Sequence, residues 1–288
     1  VAKQAIEAGK SVYNEKPLAV DLADGMELVD MAKENGVLLG GAPDTFLGGG
    51  IQTCRKLIDD GWIGKPVAVT AFMTCPGHES WHPDPGFYYK KGGGPMFDMG
   101  PYYLTALVNM VGPIRRVKAS TKITFDERTI TSESLNGTKI KVDVPTHVAG
   151  IMDFRNQATG VIITSFDVWG AQLPRIEVYG THGSLSVPDP NTFGGPVQVY
   201  LPEDMAWKDV PLTHGYTFNS RGIGVADMAY AIRSGRPHRA NGELTYHVLE
   251  AMHAFHTALD NEKTEKMKSK VKRPAALPMG LLKGSLDP

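Results

Sequence analysis

The sequence has little cysteine, almost no net charge and no long apolar segment. Its 288 residues include only Cys54 and Cys75, which have neither the number nor the spacing typical of a disulfide framework. The formal net charge of −1 predicts no binding to nucleic acid or to an anionic membrane surface. No apolar run approaches the roughly 20 residues of a membrane span. We therefore expect a globular protein of a reducing compartment, in the cytoplasm.

A glycine fingerprint for dinucleotides is also missing. No G-x-G-x-x-G follows a predicted strand, and Gly222-Ile223-Gly224 lacks both the third glycine and a preceding strand. The chain starts at Val1, within a predicted helix that ends near Gly9. We therefore expect a fragment whose N-terminal part, with any export signal, lies upstream.

Helices and strands alternate over residues 1–46. Ser11–Tyr13 predicts a short strand, Asp21 precedes a helix from about Leu22 to Asn35, and residues 37–41 predict a buried strand. This order is typical of a parallel α/β sheet. The sequence predicts that residues 1–46 are the C-terminal part of such a domain.

Strand patterns dominate from Pro66 onward, and two helices follow them. A Lys-rich segment, 263–272, predicts a solvated connector after the second helix. The sequence predicts an α+β domain over residues 47–288, with a large, mostly antiparallel open sheet. The predicted strands are Val117–Phe125, His147–Phe154, Val161–Phe166, Arg175–Tyr179, Ser184–Val187 and Val197–Leu201.

Residues 78–82 match the H-E-x-x-H motif of zinc proteases. That motif binds zinc only on a helix, where residues four apart face the same ion. Prolines and glycines on both sides predict a loop here, so we expect no metal site. We interpret Trp81, His82 and Tyr89 as a pocket wall for a sugar or polyol, because aromatic faces and imidazoles suit such ligands. A surface loop with packed aromatic side chains is the alternative.

Glu15-Lys16-Pro17 follows the first predicted strand, at the sheet edge where open α/β sheets bind ligands. A lysine at this position suits the polarisation of a substrate oxygen, and the proline favours a cis peptide bond. A second segment, Gly92–Gly94, leads into a predicted helix that carries Asp98 and Tyr102. These two residues are four apart, so on one helix they share a face. The two side chains either cap the helix or form half of an active site.

Four segments together resemble the glucose–fructose oxidoreductase, inositol dehydrogenase and rhizopine-catabolism family of nicotinamide-dependent sugar dehydrogenases. The resemblance is most specific in the order of two segments, because a glutamate-lysine-proline segment is followed downstream by a glycine–aspartate segment. Either segment alone would be a weak signal. The segments are Ala8–Ala19, Ile63–Val67, Gly92–Gly100 and Gly180–Leu185.

The resemblance implies a Rossmann domain, mostly upstream of Val1, followed by an α+β substrate domain. It implies NAD or NADP as cofactor, and the residue that distinguishes the two also lies upstream. Lys16 and Asp98 then face the substrate, while Glu15 and Pro17 shape the nicotinamide end of the pocket with Lys16.

Tyr102 departs from the pattern of this family, in which many members carry a histidine. A free tyrosine titrates near pH ~10 and a histidine near ~6.5, so a tyrosine acts more readily as an acid than as a base at neutral pH. We expect Tyr102 to exchange the proton, in ketone reduction or in a reversible reaction.

The sequence therefore predicts an oxidoreductase of carbohydrate metabolism that transfers a hydride between a nicotinamide and a sugar, polyol or keto-sugar. Two alternatives remain open at this point. One is a glycosidase that uses a bound nicotinamide transiently, and the other is a non-catalytic sugar or dinucleotide sensor. The open sheet predicts a homo-oligomer, because such faces seldom stay uncovered.

Overall fold

The computed structural model describes residues 1–260, 263–282 and 284–287. Its N-terminal part contains α1 (Ala2–Glu7), β1 (Val12–Asn14), α2 (Leu22–Glu34) and β2 (Leu39–Gly41). Strands β1 and β2 pair in parallel, with Val12 opposite Leu39. The parallel α/β arrangement predicted from the order of these elements is confirmed.

The rest of the chain supplies five further helices and eleven further strands to the described part of the structure. The helices are α3 (Gly49–Asp59), α4 (Gly94–Asp98), α5 (Gly100–Met110), α6 (Ile223–Ser234) and α7 (Gly242–Asp260). The strands are β3 (Pro66–Thr74), β4 (Ile114–Lys122), β5 (Glu127–Thr129), β6 (Lys139–Lys141), β7 (His147–Phe154), β8 (Thr159–Ser165), β9 (Ile176–Gly180), β10 (Ser184–Val187), β11 (Gln198–Tyr200), β12 (Trp207–Asp209) and β13 (Glu265–Lys266).

Nine of these strands form one open sheet in the order β12-β11-β10-β9-β3-β8-β7-β4-β13. Within the described residues, β3 and β8 are its one parallel pair, and the other neighbours are antiparallel. The predicted open and mostly antiparallel sheet is confirmed. The connector predicted over residues 263–272 is corrected, because β13 pairs with β4 at the sheet edge and Met267 is buried.

Helix α7 joins the N-terminal part to the large sheet. A Cβ on Gly25 of α2 would lie 2.6 Å from Leu249 of α7, so glycine allows these helices to pack closely. On the other side of α7, a Cβ on Gly150 of β7 would lie 2.4 Å from the ring of Phe255. One continuous apolar core results, with every residue of α5 buried inside it. No helix in residues 1–260, 263–282 and 284–287 has the length and apolar character needed to cross a bilayer.

His247 links α7 to the start of β4 and to the C-terminal segment. Its Nε2 accepts the backbone N–H of Ile114 at 3.1 Å. Nδ1 therefore carries the proton and donates it to the Ser269 hydroxyl at 2.6 Å. The neutral ring is fully hydrogen-bonded, and burial lowers the pKa of His247 from 6.5 to about 4.

We expect the free energy of unfolding to fall between pH 6.5 and 4 because of His247. The folded-state pKa lies below the unfolded-state value, so this contribution is complete above pH 6.5 and is lost as the pH falls towards 4. A pKa shift of this size corresponds to about 3 kcal/mol in the free energy of unfolding. Urea unfolding across this range should show a shallower pH dependence for His247→Gln. His182→Gln, at an exposed histidine, should keep the wild-type dependence.

Candidate active site

A cavity of about 550 Å³ lies where the end of β1 meets the α4–α5 segment and the large sheet. Its wall comes from stretches that are far apart in the sequence, so only the folded protein assembles it. The polar and aromatic residues that line it include Lys16, Thr74, His78, Ser80, Trp81, Tyr88, Asp98, Tyr102, Tyr103, Arg175, Asp189, Asn191 and Arg221. We call it the Lys16 cavity.

Lys16 and Asp98 form a close ion pair in this cavity. The Lys16 Nζ donates to the Asp98 Oδ1 and to its backbone oxygen, both at 2.7 Å. The Lys16–Pro17 peptide is cis, as the sequence suggested, and the Asn14 side chain donates to the Leu18 carbonyl across the turn. The Glu15 carboxylate accepts the Lys16 amide N–H at 2.8 Å, and neither Glu15 nor Pro17 lines the cavity.

Gly93 and Gly94 set the path of the backbone that leads into α4 and Asp98. A Cβ on Gly93 would lie 2.6 Å from the carbonyl oxygens of Phe87 and Tyr88, and Gly94 has a φ of 81°. Other residues would be strained at these two positions. The segment therefore brings Asp98 within hydrogen-bond distance of a lysine 82 positions earlier.

Asp98 and Tyr102 do not lie on one continuous helix. Asp98 ends α4, Met99 separates the helices, and Tyr102 lies in the first turn of α5. The capping interpretation is wrong, because neither helix has a side-chain cap and the Asp98 carboxylate binds other side chains. The break turns both residues towards the same cavity.

Two cationic side chains lie near Tyr102. The Lys16 Nζ is 5.5 Å from the centre of the tyrosine ring, and the Arg221 Cζ is 5.7 Å from it. Arg221 also donates to the Tyr102 hydroxyl at 3.3 Å. These contacts fix the ring and the hydroxyl of Tyr102 in the cavity.

His78 is a site residue that the sequence did not reveal. Its Nε2 lies 3.3 Å from the Asp98 Oδ2. Lys16 binds the other oxygen of this carboxylate, Oδ1. Trp81, Tyr88 and Phe166 surround the ring, with centroids 5.3, 4.0 and 4.6 Å away. The H-E-x-x-H match drew attention to His78 only as a metal ligand. Its partner lies 20 positions away, beyond the reach of a local pattern.

Asp98 is ionised at neutral pH in this environment. Burial by itself raises the pKa of the carboxyl group, but the hydrogen bond from His78 and the charge of Lys16 outweigh burial. The net effect is a pKa below the usual value. The carboxylate therefore remains available to hold Lys16.

Two of the three residues predicted to form the pocket wall, His82 and Tyr89, do not line the cavity. Trp81 lines the cavity, as predicted. His82 is not part of the wall: its ring packs against Trp81 and Phe87, and its Nδ1 accepts the Asp84 N–H. Tyr89 is fully buried, and its neighbour Tyr88 lines the cavity instead. A short 3₁₀ turn over Gly86–Tyr89 sets this choice, and an aromatic run cannot indicate which ring faces inward.

The loop that carries His78 is held in place by Arg128. Arg128 donates to the Glu79 carboxylate at 2.9 Å, to the Phe166 carbonyl at 2.9 Å and to Asp167. The loop is not helical, as predicted. His78 hydrogen-bonds to Asp98 and His82 to Asp84. No group of three or more histidine, cysteine or acidic residues in the described parts of the chain could hold a metal ion.

We expect Arg128→Met to lower the free energy of unfolding by about 3 kcal/mol, because Glu79 and Asp167 would remain buried without their cation. Denaturant titration measures this loss. Arg116→Met provides the control, since its pair with Asp153 lies at the surface and should cost less than about 1 kcal/mol. A loss for Arg128→Met as small as for Arg116→Met would contradict the structural role of Arg128.

Two family models match the two parts of the chain. The model described as "Oxidoreductase family, NAD-binding Rossmann fold" matches residues 1–41, and the "GFO/IDH/MocA C-terminal domain" model matches residues 51–186. The chain belongs to the GFO/IDH/MocA family of oxidoreductases. The predicted resemblance and the predicted fold class are both confirmed.

Curated relatives in this family include enzymes of sugar metabolism. The D-xylose dehydrogenase of Paenarthrobacter nicotinovorans is 25% identical over 74% of this chain and 57% of its own length. The 1,5-anhydro-D-fructose reductase of Ensifer adhaerens is 30% identical over 63% of this chain and 50% of its own length. The chain thus spans about half the length of these relatives.

A solved structure shares the fold over most of the chain. It is a levoglucosan dehydrogenase in complex with NADH, with a TM-score of 0.77 and 21% identity. The match covers 93% of this chain and 76% of that chain. At this identity the likeness concerns the fold.

Proposed function

We propose that the protein is an NAD(P)-dependent oxidoreductase that transfers a hydride between a nicotinamide and a sugar, polyol or keto-sugar. The Lys16–Asp98 ion pair beside Tyr102 in one cavity carries this proposal. The family and the activities named for its relatives support it.

The residues present fit a nicotinamide at this position. Lys16 follows the carboxyl end of the parallel strand β1, the edge at which open α/β sheets bind nucleotides. We infer that residues 1–46 belong to the nucleotide-binding domain and residues 47–288 to the substrate domain. This boundary falls between the two matched regions, 1–41 and 51–186.

Lys16 polarises the reacting oxygen of the substrate. An ammonium group has three N–H donors, and Asp98 accepts two of them. The third remains for a hydroxyl or carbonyl oxygen in the cavity, where it stabilises developing negative charge. Asp98 keeps the lysine in this orientation, and His78 holds the other carboxylate oxygen. The bound nicotinamide supplies the hydride acceptor or donor.

Tyr102 exchanges the proton with the substrate oxygen. Its hydroxyl lies in the same cavity as Lys16 and accepts a hydrogen bond from Arg221 at 3.3 Å. The phenol can give its proton to a ketone oxygen, and the phenolate can take a proton back from a hydroxyl in the reverse direction. The site therefore suits a reversible reaction.

Full-length protein incubated with NAD(H), NADP(H) and a panel of sugars and keto-sugars tests the proposal. A substrate-dependent change in nicotinamide absorbance is the expected result. Release of free sugar from a glycoside without net absorbance change would instead support the glycosidase. Tight cofactor binding without turnover of any substrate would support the sensor.

We also propose that the protein forms a homo-oligomer through the open face of the large sheet. Ile151 and Val161 lie opposite each other on this face and are 50% and 38% exposed, beside the pair Phe72 and Ile163. Such an apolar patch favours a partner surface. Light scattering should give an oligomeric mass that Ile151→Asp lowers. Ile232→Asp, at an exposed position of helix α6, should leave the mass unchanged.

A cytoplasmic location is the third part of the proposal. Cys54 and Cys75 are free thiols, as is usual for proteins of a reducing compartment. Microscopy of a fluorescent fusion of the full-length protein tests it, and a signal at the cell envelope would contradict it.

A further inference from the structure

The far wall of the Lys16 cavity carries two arginines that the resemblance did not include. Arg175 and Arg221 line this wall together with Asp189 and Asn191. We call these four residues the arginine wall. All four come from the second half of the chain, whereas Lys16, Asp98 and Tyr102 come from the first.

The cavity has one positive charge in excess. Its cations are Lys16, Arg175 and Arg221, and its carboxylates are Asp98 and Asp189. Lys16 pairs with Asp98 at 2.7 Å, and Arg175 pairs with Asp189 at 3.5 Å. In the described part of the chain, Arg221 has no carboxylate within 4.0 Å. Its charge therefore has no ion-pair partner in that part of the chain, and the residue is exposed to solvent.

The Arg221 guanidinium is nevertheless held in place. It donates to the Asn191 Oδ1 at 2.8 Å and to the Tyr102 hydroxyl at 3.3 Å. A guanidinium has five N–H donors, so these neutral acceptors use two of them. The remaining donors form part of a planar fork, the geometry that binds a carboxylate through two parallel hydrogen bonds.

Arg221 is close enough to the reacting centre for one small molecule to reach both. Lys16 Nζ and Arg221 Cζ are 5.5 and 5.7 Å from the same Tyr102 ring centre, so they are at most about 11 Å apart. Hydrogen-bond distances of about 3 Å at each end leave at most about 5 Å between the two ligand atoms that they contact. The carboxylate of a sugar acid and a hydroxyl or ketone oxygen two or three carbons away fit within this span.

We propose that the substrate of this site is a sugar or polyol acid, whose carboxylate binds Arg221 while a hydroxyl or ketone oxygen lies between Lys16 and Tyr102. The proposal rests on the oxidoreductase function proposed above. The single charge of Arg221 matches a carboxylate better than a phosphate, which carries nearly two negative charges at neutral pH.

Calorimetry on full-length protein with saturating NAD(H) tests the proposal with three probes: D-glucuronate, D-glucose and D-glucose 6-phosphate. The wild type should bind glucuronate about 10-fold to 100-fold more tightly than glucose, the range expected for hydrogen bonds to a charged group. Arg221→Met should reduce this preference to less than about 3-fold. Arg233→Met removes an exposed arginine from α6 outside the cavity and should keep the wild-type preference.

Equal binding of glucose and glucuronate by the wild type would overturn the proposal, even if Arg221→Met did not fold. Unchanged preference in folded Arg221→Met, or tighter binding of glucose 6-phosphate than of glucuronate, would also overturn it. Nicotinamide absorbance in parallel samples separates the two proposals. Turnover of neutral sugars with equal binding removes only the sugar-acid assignment. Preferential binding of glucuronate without turnover of any sugar or sugar acid would contradict only the proposed oxidoreductase function.

Discussion

Lys16→Met is expected to lower kcat/KM of the full-length enzyme by about 10²-fold to 10³-fold, the usual effect of removing a donor to developing oxyanion charge. The methionine keeps the length of the side chain but supplies no N–H for the substrate oxygen. Steady-state nicotinamide absorbance with the best sugar measures the loss. Turnover within threefold of the wild type would contradict the role of Lys16.

A second measurement on the same variant is independent of activity. Lys16 helps to lower the pKa of Asp98, so its removal should raise that pKa, which carbon NMR of the carboxyl group can follow. The ionised carboxylate stabilises the fold above the unfolded-state pKa of about 4, and this stability is lost as the pH falls through the folded-state value. Lys16→Met should therefore lose less stability on acidification. Lys10→Met, at an exposed lysine after α1, should behave as the wild type.

Tyr102→Phe is expected to lower kcat by about 10²-fold to 10³-fold and to change KM little, because it removes a proton donor and preserves the ring. Both cations beside the ring remain in this variant.

Tyr230→Phe serves as the matched control for Tyr102→Phe. Its hydroxyl donates to the Gly284 carbonyl, outside the Lys16 cavity, so the same atom is removed without effect on proton transfer. Equal kcat for Tyr102→Phe and Tyr230→Phe would exclude Tyr102 as the proton donor. His78 would then be the next residue to substitute, because it already contacts Asp98.

Much of the fold was predictable because its signals are local. The alternation of helix and strand over residues 1–46 and the strand patterns after Pro66 arise from side-chain periodicity, which each segment carries by itself. The edge strand Glu265–Lys266 was missed because the lysines of residues 263–272 indicate a solvated segment. The break at Met99 was missed because the four-residue spacing of Asp98 and Tyr102 suggested a single helix.

Some residues of the candidate site could likewise be found from the sequence, and others only from the structure. The sequence by itself marked Lys16, Asp98 and Tyr102 as candidates, through a proline, three glycines and a four-residue spacing, and the family resemblance suggested their roles. Only the tertiary structure decided that His78 contacts Asp98, that Tyr88 rather than Tyr89 lines the cavity, and that Arg221 binds the Tyr102 hydroxyl. These contacts depend on where distant segments meet and on which way a side chain points. Packing of the whole core sets both, and no short stretch of sequence encodes them.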